Sequence, residues 1–259
     1  MSDDDNPRWE SITAADGDHF DAWCAIPESG RGPGVLVLQE IFGVNDNMRG
    51  LAERLAEAGF VALVPDMFWR LERHFERVDE SGMGEGIALA QRLDWSWAQT
   101  DMQSAHGHLL RMPECTGKVG AVGFCLGGGL AFACAATSRV LGDGIDAAVC
   151  YYGSPINAML HLADEIECPV MYHYGIEDAF ISPASIQEVE DAVTGRPGVE
   201  FHRYEAGHAF SNWDAPSMYQ QESAEEAWSR TLDFFDEHLR ERGAPPPAAG
   251  FRGPAAGAP

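Results

Sequence analysis

The chain has 259 residues, 45% of them hydrophobic, and a net charge of −24 from 41 acidic and 17 basic residues. Its length suits one large α/β domain, and its charge excludes nucleic acid and an anionic membrane as partners. The start Met1-Ser2-Asp3-Asp4-Asp5 has no apolar leader, and no run of about 18 apolar residues occurs, so the cytoplasm is the expected compartment. Six cysteines without a disulfide framework fit a reducing compartment. No Cys/His spacing of a metal site occurs, and no metal or other cofactor is expected. Lys118 is the only lysine; a halophilic source or a GC-rich genome would each give such a chain.

Residues 1–8 read as a disordered acidic tail. Phe20 to Ile26 forms an early strand. Gly34 to Gln39 is a continuous apolar run, the mark of a strand buried on both faces. Asn45 or Asp46 caps a helix with apolar positions at Met48, Leu51, Leu55 and Ala58, ended by Gly59. Phe60 to Val64 is the next buried strand, closed by Pro65. Leu71 to Glu85 is polar and irregular, a surface excursion. A helix from about Trp97 to Arg111 follows. Further strands are expected just before Cys125, at Ala147 to Tyr152, at Val170 to Tyr174 and at Val199 to Tyr204. Helices at Pro183 to Ala192 and Glu222 to Arg240 complete one domain spanning residues 9–242. Residues 243–259 are rich in Pro, Ala and Gly and read as a flexible tail. Alternating strands and helices predict an α/β fold, a mostly parallel sheet with helices on both faces. Ligands of such sheets bind beyond the carboxyl ends of the strands.

Gly123-Phe124-Cys125-Leu126-Gly127 ends one of those strands. In α/β hydrolases the middle residue of Gly-x-Ser-x-Gly is a nucleophile on a strained strand-to-helix turn; here it is a thiol. A helix starting behind Cys125 points its positive end at the sulfur and favours thiolate. The other five cysteines (Cys24, Cys115, Cys134, Cys150 and Cys168) lie in or beside strand and helix patterns and read as inert core thiols. A cysteine nucleophile needs a base, and the base an orienting acid. Asp178 follows the strand ending at Tyr174, and His208 follows the strand ending at Tyr204, which gives the hydrolase order of nucleophile, acid, histidine. Each has a plain alternative. An Asp after a strand often forms a turn, a lone His is often structural, and Glu177 is a competing acid. His173, inside a strand, and His106 and His108, in a helix, read as structural. Tyr151, Tyr152 and Trp69 are candidate pocket residues.

These stretches carry a family resemblance. Gln39-Glu40-Ile41-Phe42-Gly43-Val44-Asn45, Pro65-Asp66-Met67-Phe68-Trp69-Arg70, the cysteine elbow, Tyr151-Tyr152-Gly153, Asp178 and Glu205-Ala206-Gly207-His208-Ala209-Phe210 together resemble the dienelactone hydrolases, over about residues 10 to 240. The resemblance implies the α/β-hydrolase fold and a lactone or ester hydrolase working through a Cys-His-Asp triad and a thioester intermediate. It further implies that Glu40 lies beside the thiol, holds it protonated at rest and moves on substrate binding. It puts the oxyanion on the N–H groups of Ile41 and Leu126, which the elbow geometry allows. Family members that take dienelactone hold its carboxylate with two arginines. Arg70 matches the first, but Asn212 stands at the second, and it carries no charge. The expected partner is a small ester or lactone, and the chain is expected to be a monomer or small homo-oligomer. Two other classes compete: a redox-sensing thiol protein, and a non-catalytic binding protein on the same fold.

Overall fold

The computed structural model describes residues 6–78 and 80–240. Its strands are β1 (Arg8–Thr13), β2 (His19–Ala25), β3 (Gly32–Leu38), β4 (Val61–Pro65), β5 (Cys115–Phe124), β6 (Ala147–Tyr151), β7 (Val170–Gly175) and β8 (Val199–Tyr204). Its α-helices are α1 (Asp46–Glu57), α2 (Met83–Arg92), α3 (Trp95–Arg111), α4 (Leu126–Thr137), α5 (Pro183–Val193) and α6 (Gln221–Leu239). The eight strands form one sheet in the order β1-β2-β4-β3-β5-β6-β7-β8. β2 runs antiparallel to both β1 and β4, and the remaining neighbours are parallel.

The apolar runs of the sequence are the central strands. Every residue of β3, β4, β6 and β7 is buried, as a strand covered by helices on both faces requires. Asn45, rather than Asp46, caps α1: its Oδ1 accepts the Met48 N–H at 3.1 Å. Helix α4, rich in Gly and Ala, is buried all round apart from half-buried Thr137, which makes it a central helix rather than an amphipathic surface one. Among the described residues, no helix is long and apolar enough to cross a membrane.

Four elements fall outside these expectations, among them a short 3-10 helix at Glu80–Gly82. β1 is a largely exposed edge strand whose charges, Arg8 and Glu10, hide its pairing with β2. Asn6 and Arg8, expected in the acidic tail, are instead bonded to the fold. Asn6 exchanges two bonds with the Ile26 backbone, at 2.8 and 2.9 Å, and Arg8 opens β1. The rest of both tail expectations, residues 1–5 and 243–259, lies outside the described residues. Helix α2 lies partly within the segment expected to be irregular, and a 3-10 helix occupies Ile156–Glu165.

Candidate active site

The carboxyl ends of five adjacent parallel strands, β3, β5, β6, β7 and β8, meet at one edge of the sheet. Pairing of Leu38 with Gly123, and of Phe124 with Tyr151, sets the levels. Glu40 lies two residues past Leu38, Cys125 two past Gly123, and Tyr152 one past Tyr151, so the three sit at the same height. Asp178 follows the end of β7 and His208 the end of β8.

Cys125 is the N-cap of α4, with φ 53° and ψ −114°. A non-glycine residue held there is strained, and the surroundings fix it. Its N–H donates to Tyr151 O at 3.1 Å, and its carbonyl accepts from Gly128 and Ser154, each at 3.0 Å. The flanking glycines let the backbones close up. A Cβ on Gly123 would meet Gly127 O at 1.8 Å, and one on Gly127 would meet Leu38 O at 2.0 Å. Of the six free thiols, Cys24, Cys115, Cys134 and Cys150 are buried, whereas Cys125 is half-buried at the wall of a cavity. Cys168 is half-buried elsewhere. Burial pushes Cys24, Cys134 and Cys168 up to about 12.

His208 reaches the same cavity. Its Nδ1 bonds Asp178 Oδ2 at 2.7 Å, while Asp178 Oδ1 accepts the N–H groups of Phe180 and Ile181 at 2.7 and 2.8 Å. Glu177, the competing acid, is exposed. Burial opposes a charge on His208, but Cys125 and Asp178 together outweigh it and raise the imidazole to about 10. The rival histidines are occupied elsewhere. His173 is buried between Tyr204 and Thr231, His106 bonds Ser138, and His108 lies near Glu10.

Glu40 is 2% exposed. Its Oε2 accepts from Asn212 Nδ2 at 2.6 Å and its Oε1 from the Tyr152 hydroxyl at 3.2 Å. The Tyr152 oxygen also shares a 2.7 Å bond with Ser211 Oγ. A phenol has one proton, so Ser211 donates that bond. Burial raises the Glu40 carboxyl above the usual range, against the lowering effects of Asn212, His208 and Tyr152. Both oxygens thus accept from neighbouring side chains, on the same cavity that Cys125 lines. Asn212 and Tyr152, the expected substrate-binding residues, both donate to Glu40. Ser211 had no signal in the sequence.

Ile41 lines the cavity, and Leu126 packs its side chain into the core. The Leu126 N–H is the first of α4, one of those a helix leaves without an intrahelical partner. Arg70 is not brought to the cavity. Its Nε and Nη2 form a two-pronged pair with Asp101, at 2.8 Å each, and its Nη1 bonds Asp16 at 2.7 Å. Trp69 and Trp97 flank it, each 4.1 Å from its guanidinium carbon. Trp69 also donates to Asp101 at 2.8 Å and stacks on Phe20, so it too is structural.

The strand order, the helix launched from a strained residue at the end of β5, and the later strands presenting Asp178 and His208 define the α/β-hydrolase fold. The model of the dienelactone hydrolase family matches residues 20–239. A carboxymethylenebutenolidase of Pseudomonas sp. strain P51 is 33% identical over 226 residues, covering 86% of this chain and 92% of that one. A carboxymethylenebutenolidase of Pseudomonas putida is 34% identical over 227 residues, covering 86% and 94%. The crystal structure of a putative dienelactone hydrolase from Klebsiella pneumoniae superposes with a TM-score of 0.74 at 27% identity, covering 89% of this chain and 98% of that one. The chain belongs to the dienelactone hydrolase family and is a hydrolase.

Proposed function

We propose that this hydrolase cleaves a carboxylic ester or lactone through Cys125, His208 and Asp178, with a thioester intermediate. The observation that carries the reading is the 2.7 Å bond from His208 to Asp178, made on the cavity that the strained Cys125 also lines. With Nδ1 committed to Asp178, Nε2 is the nitrogen left for the sulfur. The Cys125 thiolate attacks the carbonyl carbon, and the oxyanion is held by the N–H groups of Leu126 and Ile41. As the C–O bond breaks, His208 gives its Nε2 proton to the leaving alkoxide. Water then enters, His208 takes its proton, and hydroxide attacks the thioester. The thiolate leaves, and the products are a carboxylic acid and an alcohol, or one hydroxy acid from a lactone.

Glu40 is a fixed acidic wall of this site rather than a moving guard, because Asn212 and Tyr152 already hold both its oxygens. A free thiol nucleophile is well kept in a reducing compartment such as the cytoplasm. Hydrolysis of p-nitrophenyl acetate by wild type, Cys125→Ala, His208→Ala and Asp178→Asn tests the reading. Loss of at least about 100-fold in kcat/KM is expected for the first two variants. Equal rates in all four proteins would refute the triad. Peroxide sensitivity of Cys125 without any esterase activity would favour the sensor instead.

A further inference from the structure

The cavity beside Cys125 has a volume of about 180 Å³. Apolar side chains from four segments form most of its wall: Ile41 and Phe42 after β3, Met83 and Ile87 of α2, Phe180 after β7 and Met218 before α6. Two of these are anomalous for a core, since Ile87 is 39% exposed and Phe180 is 60% exposed. Large apolar groups left facing solvent at a cavity mouth mark a surface meant to be covered. The methionines add an adaptable lining.

The charged side chains on this wall are Glu40 and His208, and among the described residues no arginine or lysine lines it. His208 is bonded to Asp178. Asn212 has spent its amide on Glu40 and its Oδ1 on the Asp214 N–H. Arg70 is clamped by Asp101 and Asp16. The His208 imidazolium is committed to Asp178 and the sulfur, so a carboxylate on the substrate would lose water without gaining an arginine or lysine partner, and would face Glu40. It would also approach a chain of net charge −24.

We infer that the substrate of this site is a neutral ester or lactone whose acyl part is compact and apolar, seated against α2 and Phe180. This rests on Cys125 being the nucleophile. An acyl chain ending in a carboxylate is disfavoured.

The test compares p-nitrophenyl hexanoate with mono-p-nitrophenyl adipate, which share a leaving group and chain length and differ in a terminal methyl or carboxylate. In wild type the adipate ester is expected to have a kcat/KM roughly 100-fold lower, with the loss mainly in KM, as an unpaired carboxylate in an apolar wall requires. Molar salt, which screens long-range repulsion, is expected to leave most of that gap. Ile87→Arg, at an exposed position, is expected to narrow it by roughly tenfold by supplying a partner. Equal kcat/KM for the two esters in wild type overturns the inference. An unchanged ratio in Ile87→Arg overturns the seating of the acyl chain against α2. Cys125→Ala separates the two readings. If it abolishes turnover of both esters, the nucleophile stands whatever the ratio; if it still cleaves the hexanoate, the nucleophile falls, and the inference with it. Failure of wild type to cleave either ester overturns both.

Discussion

Replacing Arg70 by glutamine separates a structural arginine from a substrate-binding one. Asp101 is buried, its side chain 3% exposed, and it takes two bonds from Arg70 and one from Trp69, all at 2.8 Å. Removing the guanidinium leaves a buried carboxylate with the Trp69 N–H as its remaining donor among these three bonds. Breaking a buried pair costs about 3–5 kcal/mol. The Arg70 side chain is 22% exposed, so water can enter the vacated space, and the cost is discounted to roughly 2–3 kcal/mol. Some of that is lost stacking between Trp69 and Trp97. Urea unfolding of wild type and Arg70→Gln gives the stability change, and ester kinetics on the same samples give KM. Arg70→Met with Asp101→Leu, which removes both charges, is expected to recover most of the stability. The expected pattern is a large stability loss with KM within about twofold of wild type. A stability loss under about 1 kcal/mol, with KM rising steeply for an anionic ester alone, would refute the structural account.

The raised His208 predicts a pH limit. His208 keeps its proton up to about 10, so kcat/KM for an alkyl ester, whose leaving group needs that proton, should fall as pH rises through that value, while a p-nitrophenyl ester should not follow it. The same shift is a stability term. Because the folded value lies above the unfolded 6.5, His208 stabilises fully below pH 6.5 and loses that contribution as pH rises through about 10. The unfolding free energy of wild type minus that of His208→Gln should shrink across that window; a gap that widens would contradict it. Asn212→Leu removes the 2.6 Å donor from buried Glu40, at about 1–3 kcal/mol. The Glu40 carboxyl is already raised, so its ionised form is the costly one, and the loss should be greatest at alkaline pH and smallest in acid. Denaturation at about pH 8 and about pH 4.5 checks the sign; equal losses would mean that Glu40 does not change its charge between them.

The central strands and the three residues on their ends were legible because both signals are local. Val35 to Leu38 is apolar throughout, and Cys125 sits between glycines. Asp178 and His208 were legible by position after a strand, and the 2.7 Å bond joins two loops that neighbouring parallel strands must bring together. Helix α2 was not legible. Met83 to Arg92 contains Gly84 and Gly86, which argue against a helix by propensity. Gly86 has a packing reason, since a Cβ there would stand 2.4 Å from Ile41 O. That close approach brings Ile87 to the cavity. The partners of Arg70 lie 31 and 54 residues away in sequence, so its motif could not reveal that it was already engaged. The Ser211, Tyr152, Glu40 and Asn212 network was hidden for the same reason, as its members come from three separate loops.

Intact-protein mass spectrometry of enzyme quenched during turnover of p-nitrophenyl hexanoate tests the central claim most directly. One hexanoyl adduct is expected, mapped by proteolysis to the peptide containing Cys125 and absent from Cys125→Ala. An adduct on another residue, or full turnover by Cys125→Ala, would contradict it.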